Sequence, residues 1–327
     1  MADELRDWLE TVYGGEEDGP LVEAQKARYR EALEAFRRAY GAGPVHVYRA
    51  PGRVNLIGEH TDYNHGYVLP IALDRDIVLL ARPRRDLHVS LRNLEHERFG
   101  ARRFVIGSDI PPGPLGDWEN YIKGAAQTLS RRFGPLAHGM DALVAGGEPH
   151  GVPIGAGLSS SSALTVAAAV ALMDLNGIDL PAPALAHLAA EAEWYVGTRG
   201  GIMDHFSSVL GRNEHALFLD CRPAGPPPGQ FHIDWVPIPP GYRFAVCDSG
   251  KRRENTRSRF NARVAECKVG VELFRRRFPG VTHLRDISAG GLGLSAEDLE
   301  ALQAELLPEE AGAEDLERLG VPAKFLM

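Results

Sequence analysis

Apolar positions recur at helical spacing over residues 4–13 and 21–40, with Arg and Glu between them, and the second run stops at Gly41. The pattern predicts two amphipathic helices. Val45–Ala50 alternates apolar and polar positions as a half-buried strand does, and Tyr67–Leu73, Asp76–Ala81 and Arg102–Ile106 read as further strands. A helix is predicted from Trp118 to about Phe133, a short apolar strand at Ala142–Ala145, and a long alanine-rich helix through Thr165–Met173. Helices over 184–196 and from Asp204 to about Leu210 follow, and then a strand at His215–Leu219. Residues 222–240 hold seven prolines around one short apolar run and read as a connection. The expected division is therefore 1–240 and 241–327, the second part opening with a strand at Tyr242–Cys247 and a helix over 256–278. Glu and Leu at helical spacing over 297–317 predict one or two exposed helices.

The 327 residues, 44% hydrophobic and 24% charged, suffice for two domains and a large core. A formal net charge of −8 argues against nucleic acid or an anionic membrane as partner and leaves a small molecule. The acidic start, Met1-Ala2-Asp3-Glu4, lacks a signal-peptide core and no apolar run approaches membrane-spanning length, so a soluble, cytoplasmic protein is expected; a monomer is expected as well, though no sequence feature bears on oligomeric state. Cys221, Cys247 and Cys267 have neither metal-ligand nor redox spacing and read as reduced thiols.

Three stretches carry candidate chemistry. In Pro153-Ile154-Gly155-Ala156-Gly157-Leu158-Ser159-Ser160-Ser161-Ser162-Ala163-Leu164, glycines let backbone N–H groups approach an anion closely, and serines precede a helix whose dipole would face it. A polyphosphate fits there; a plain Ser-capped turn of small residues is the structural alternative. No Lys follows the glycines and a third Gly is missing, which excludes both common nucleotide loops. Arg53 to Tyr63 gathers Arg, Asn, Glu, His, Asp and Tyr after Pro51-Gly52, and fixed acceptors and donors at Glu59, His60 and Asp62 suit a polyol. Glu193-Trp194-Tyr195-Val196-Gly197-Thr198-Arg199-Gly200-Gly201-Ile202-Met203-Asp204-His205 packs glycines around one Asp, either a carboxylate aimed at a ligand or a helix N-cap.

The order Pro-x-Gly-x-Gly-Leu-Ser-Ser-Ser resembles the phosphate loop of the GHMP kinases, and Gly52-Arg-Val-Asn-Leu-Ile-Gly-Glu-His-Thr-Asp-Tyr63 reproduces that family's galactokinase signature. Gly-Ile-Met-Asp204 is similar to the segment bearing the family's catalytic carboxylate, and the likeness extends over about residues 44 to 290. The resemblance implies an α+β, two-domain fold, with a ribosomal protein S5 domain 2-like N-terminal domain and a partial ferredoxin-like C-terminal domain. It implies ATP-dependent phosphorylation of the anomeric hydroxyl of galactose, Asp204 and Arg53 carrying the chemistry. Arg53, Glu59, His60, Asp62, Gly201, Asp204 and Phe260 would contact the sugar. Gly155, Gly157, Leu158, Ser159, Ser160, Ser161, Ser162 and Trp118 would contact ATP, although packing is an equal role for Trp118. Ser161 and Glu193 would hold Mg²⁺, with Glu191 a rival for Glu193. Asn120 and Lys123 fall in the same pattern near the nucleotide.

Three departures bear on substrate and turnover. Phe260 stands where the family carries a Tyr that reaches the sugar, and His205 stands where it carries Gln. The family's third, Gly-rich motif does not occur before Met327, so a truncated chain is expected, with an exposed sheet edge and weakened closure over the site. N-acetylgalactosamine or arabinose as substrate, or a non-catalytic galactose sensor, are the alternatives.

Overall fold

The computed structural model describes residues 2–13, 19–197, 200–225, 230–247, 250, 259–307, 310 and 312–318. Its frame is a five-stranded sheet of β1 (His46–Asn55), β3 (Pro70–Pro83), β4 (His88–Asn93), β5 (Arg102–Val105) and β6 (Met140–Ala145), in the order β1-β3-β6-β4-β5. All neighbours are antiparallel except β4 and β6. β3 is buried on both faces, which its unbroken run Ile77-Val78-Leu79-Leu80-Ala81 anticipates. Ile77, Leu79 and Ala81 face a core shared with α3 (Glu119–Phe133) and α4 (Ser160–Leu175). Val78 and Leu80 face the opposite core, filled by α1 (Ala2–Tyr13) and α2 (Pro20–Tyr40).

β1 runs straight through Pro51-Gly52, where the composition suggests a turn. It is the edge strand, so the missing Pro51 N–H costs no ladder bond. At Gly52 the register with β3 jumps from Pro51↔Asp76 to Arg53↔Ala72. A Cβ on Gly52 would lie 2.7 Å from the Leu158 carbonyl, so only glycine lets the Gly155–Ser159 loop lie against the strand here.

A second sheet, in the order β2-β7-β8, comprises β2 (Tyr67–Val68), β7 (His215–Ala224) and β8 (Gln230–Pro237). It packs on α5 (Ala182–Glu193) and α6 (Met203–Leu210) through Val68, Ala186, Phe206 and Leu217. The proline-rich connection thus contains a strand: Phe231, Ile233 and Trp235 alternate inward, while the prolines sit outside its hydrogen-bonded middle.

Beyond it come α7 (Arg259–Arg277), α8 (Ala289–Leu292), α9 (Ala296–Leu306) and α10 (Ala313–Arg318). α7, α8 and α9 gather around a small core of Val271, Phe274, Val281 and Leu302. The expected strand at Tyr242–Cys247 does not form. Among the described residues no strand lies beside that segment to take up its backbone N–H and C=O groups, and Tyr242 remains 74% exposed. Asp248 and Ser249, the start of the predicted 256–278 helix, Thr198 and Arg199 lie outside the described residues. The C-terminal helices dock on the second sheet through Arg285, which pairs with Asp220 and donates to the His65 carbonyl at 2.8 Å. His65 and His283 stack beside that contact, ring centroids 3.3 Å apart.

Candidate active site

α4 is apolar round its whole circumference, and 12 of its 16 residues are buried, so it forms the central rod of the fold. Its N-terminus opens at Ser160, directly after the Gly155–Ser159 loop. Gly155, Gly157 and Ser159 take left-handed backbone with φ of 75°, 77° and 62°. The expected serine cap is absent: Ser159 sits at the cap position, but its hydroxyl donates to Asp204 Oδ2 at 2.6 Å instead. The left-handed turn aims that side chain away from the helix, and the first-turn N–H groups receive no side-chain cap. Such uncapped donors, with the helix dipole behind them, suit an anion.

Asp204 lies in the first turn of α6, whose cap position is Ile202, so it is not the N-cap. Its Oδ1 accepts from Arg53 Nε at 2.7 Å, and a second Arg53 nitrogen also lies 2.7 Å away. Burial pushes the Asp204 carboxyl up, but the Arg53 charge, the Ser159 hydrogen bond and the neighbouring His205 outweigh it and hold the group below the usual carboxylate range. Arg53 also fastens the loop: its backbone N–H donates to the Leu158 carbonyl at 3.1 Å and its Nη1 to the Gly157 carbonyl at 2.8 Å.

The polar stretch after β1 follows a fixed course. Asn55 Nδ2 donates to Glu59 Oε1 at 2.9 Å, and His60 Nδ1 lies 2.6 Å from the Tyr63 hydroxyl. Asp62 Oδ2 accepts from the Met203 N–H at 3.2 Å, at the start of α6. Burial and the nearby Asp204 charge raise the Asp62 carboxyl. A Cβ on Gly201 would lie 2.0 Å from Asp62 Oδ2, so glycine there makes room for the carboxylate. Phe260 packs its ring 5.2 Å from that of His60, adding an apolar wall.

Arg53, Glu59, His60, Asp62, Gly157, Leu158, Ser159, Ser161, Ser162, Glu193, Gly201, Asp204 and Phe260 all line one cavity of about 770 Å³. The sugar-type motif, the glycine loop and the lone Asp therefore meet, although Arg53 and Asp204 are 151 positions apart in the chain. Gly155 and Ser160 sit in the loop and at the helix start without lining the cavity. Trp118 does not line it either; it is buried in the main core, edge-on to Phe99. Asn120 and Lys123 are likewise turned away, bracing residues 111–114 through the Gly113 N–H and the Pro111 carbonyl.

Glu193 lines the cavity, whereas Glu191 lies outside it beside His187 and Arg132. Glu193 Oε2 accepts from Ser162 Oγ at 2.7 Å, so the loop serine touching it is Ser162 and not Ser161. His205 Nε2 lies 2.7 Å from the same oxygen, at an angle unsuited to a hydrogen bond. Ser161 and Glu193 offer hard oxygen donors that fit Mg²⁺, with phosphate oxygens and water to complete a shell. Among the described residues no group of three or more His, Cys, Asp or Glu side chains is placed to hold a metal. Sequence reasoning missed Arg75, Glu148 and Ala190 as lining residues, and no local pattern marks them; Val246 and Cys247 also line the cavity, from the segment expected as a strand.

The galactokinase galactose-binding signature matches residues 34–83, and the GHMP kinases N terminal domain matches 120–212. Galactokinases of Chloroflexus aggregans and Roseiflexus sp. are 42% and 40% identical over 278 residues, 84% of this chain. The chain spans 66% of the length of each, just under two thirds. The crystal structure of Lactococcus lactis galactokinase complexed with galactose superposes with a TM-score of 0.69 at 28% identity, covering 91% of this chain and 74% of that one. The chain is thus similar to the GHMP kinases, a family that uses ATP, and within them to galactokinases. Among the described residues no helix is long and apolar enough to cross a membrane.

Proposed function

We propose that this chain transfers the γ-phosphoryl group of ATP to the anomeric hydroxyl of galactose, giving galactose 1-phosphate and ADP. One observation carries the reading: Asp204, bonded to both Arg53 and Ser159, lines a cavity that the sugar-type motif and the phosphate loop also line. In this reading Glu59, His60 and Asp62 pair with sugar hydroxyls, and the Gly155–Ser162 backbone surrounds the phosphates. The anomeric oxygen attacks the γ-phosphorus as the bond to the β–γ bridging oxygen breaks; ADP leaves, and the hydroxyl proton passes to the Asp204 carboxylate.

A carboxylate held below its usual range is ionised at neutral pH and is a weak base. Asp204 accordingly orients the attacking hydroxyl and takes its proton late, which suits a loose phosphoryl-transfer transition state. Arg53 offsets the charge gathered on the transferring group. Ser161 and Glu193 would hold Mg²⁺, which when bound neutralises phosphate charge. The protein would work as a cytoplasmic monomer, its division falling near residue 240.

The test is ADP release with Mg-ATP and galactose, run beside Asp204→Ala. Galactose-dependent turnover should fall by about 10²–10⁴-fold, the usual worth of a positioned proton acceptor. Unchanged turnover in the variant would sink the assignment. Phe260 on the wall favours a second reading, a sugar presenting fewer hydroxyls there, such as arabinose. A galactose kcat/KM below that for arabinose or N-acetylgalactosamine selects it.

A further inference from the structure

Between the paired positions Pro51↔Asp76 and Arg53↔Ala72, β1 supplies one residue, Gly52, while β3 supplies three, Leu73, Asp74 and Arg75. Such a bulge leaves residues out of the ladder and re-aims their side chains, often beside an active site. Here Arg75 leaves the sheet pattern and lines the cavity. Its Nη1 donates to the Pro149 carbonyl, in the turn that leads into the phosphate loop. That turn is itself seated on the bulge: a Cβ on Gly52 would meet Val152 Cγ1 at 2.8 Å, and the Asp76 N–H donates to the His150 carbonyl at 3.3 Å.

The charge around the cavity gives this arginine its significance. Glu59, Asp62, Glu148, Glu193 and Asp204 line it, against Arg53 and Arg75 among the described residues. Arg53 is committed to Asp204 and the Gly157 carbonyl. Among the described residues Arg75 forms no ion pair with a carboxylate, and its one hydrogen-bond partner is the Pro149 carbonyl. A guanidinium carries five N–H donors in a fork that matches phosphate oxygens, so most of this one is uncommitted.

We propose that Arg75 is a polyphosphate-binding residue of the nucleotide site, presented by the β3 bulge and fixed at the root of the phosphate loop by Pro149. The proposal rests on the kinase reading above and names a ligand for the nucleotide's phosphate tail. Calorimetric titration with ATP, and separately with adenosine and galactose, tests it on the native chain, Arg75→Gln and Arg75→Lys. One lost charge-assisted contact should weaken ATP binding by about tenfold in Arg75→Gln and less in Arg75→Lys, with adenosine and galactose affinities unchanged. The fall of ATP affinity with added salt should also be shallower in Arg75→Gln. Undiminished ATP affinity in Arg75→Gln, or an equal loss for adenosine, overturns the proposal and leaves the kinase reading standing. A native chain that binds no ATP overturns both. If Arg75→Gln does not fold, Arg75→Lys, which keeps the charge but not the fork, carries the test: ATP affinity should fall several-fold with adenosine unchanged, and an unchanged ATP affinity overturns the proposal.

Discussion

Asp76→Asn tests the frame on which the site is built. Asp76 is fully buried and accepts at 2.7 Å from each of Arg28 Nη1, Arg49 Nε and the Tyr13 hydroxyl. Arg28 Nη2 also donates to the Asp76 and Ala145 carbonyls at 2.9 and 2.8 Å, so one cluster ties α1 and α2 to β1, β3 and β6. Burial and the Asp76 charge push the Tyr13 phenol far up, which keeps it a donor, and the same causes raise Tyr29 to about 12. Asparagine preserves the shape but removes the negative charge that two largely buried guanidinium groups face. Breaking a buried pair in this way costs about 3–5 kcal/mol. With a urea m-value of about 3 kcal/mol/M, the unfolding midpoint should fall by about 1–1.7 M. Urea titration followed by far-UV circular dichroism reads this directly. Adding Arg49→Met, which removes one stranded charge, should recover part of the loss. A midpoint within about 0.3 M of the native one would show that the cluster's charges are compensated elsewhere, and the reasoning would fail.

Two further substitutions probe the site and its junction with the C-terminal helices. Gly201→Ala places a methyl where Asp62 Oδ2 now lies; galactose affinity by calorimetry should drop by at least about tenfold with the unfolding midpoint little changed, and an undiminished affinity would refute the packing argument. At the junction, burial, His283 and Arg222 lower His65 to about 4, from an ordinary value near 6.5. The folded state therefore disfavours the imidazolium: the stability present above pH 6.5 should be lost as pH falls toward 4. His65→Asn, which suits the left-handed backbone there, should flatten the difference between urea midpoints at pH 7 and pH 5. An equal difference in both proteins would place the pH sensitivity elsewhere.

Long, strongly patterned elements were legible in the chain. The amphipathic run of α2, the five consecutive apolar residues of β3 and the alanine-rich α4 each declare their burial locally. β4 was not, because only Val89 and Leu91 are core positions in an otherwise polar stretch, and what makes it a strand is its parallel pairing with β6 some fifty residues on. β8 was hidden by flanking prolines, although Phe231, Ile233 and Trp235 alternate cleanly. Pro51-Gly52 reads as a turn by composition and is a bulge in fact, since an edge position and a close carbonyl override local preference. The site's residue types were visible as motifs and by family resemblance. Their bonds were not: Ser159 to Asp204 spans 45 positions, and nothing near Ser159 distinguishes it from Ser160 as the partner. Arg75 was invisible for the same reason, as its role depends on a register shift between two strands.

Arg53 is the joint of the site, holding the loop through the Leu158 and Gly157 carbonyls and Asp204 through its guanidinium. A nucleotide that draws the loop toward itself moves the group that faces the acceptor, and a sugar that engages Asp204 is transmitted back to the loop. In the proposed reading linkage makes such traffic symmetric: whatever factor bound galactose imposes on ATP affinity, bound ATP imposes on galactose. In that reading Arg53 makes the affinity of each half-site answer to the occupancy of the other, so each is measured with its neighbour both empty and filled.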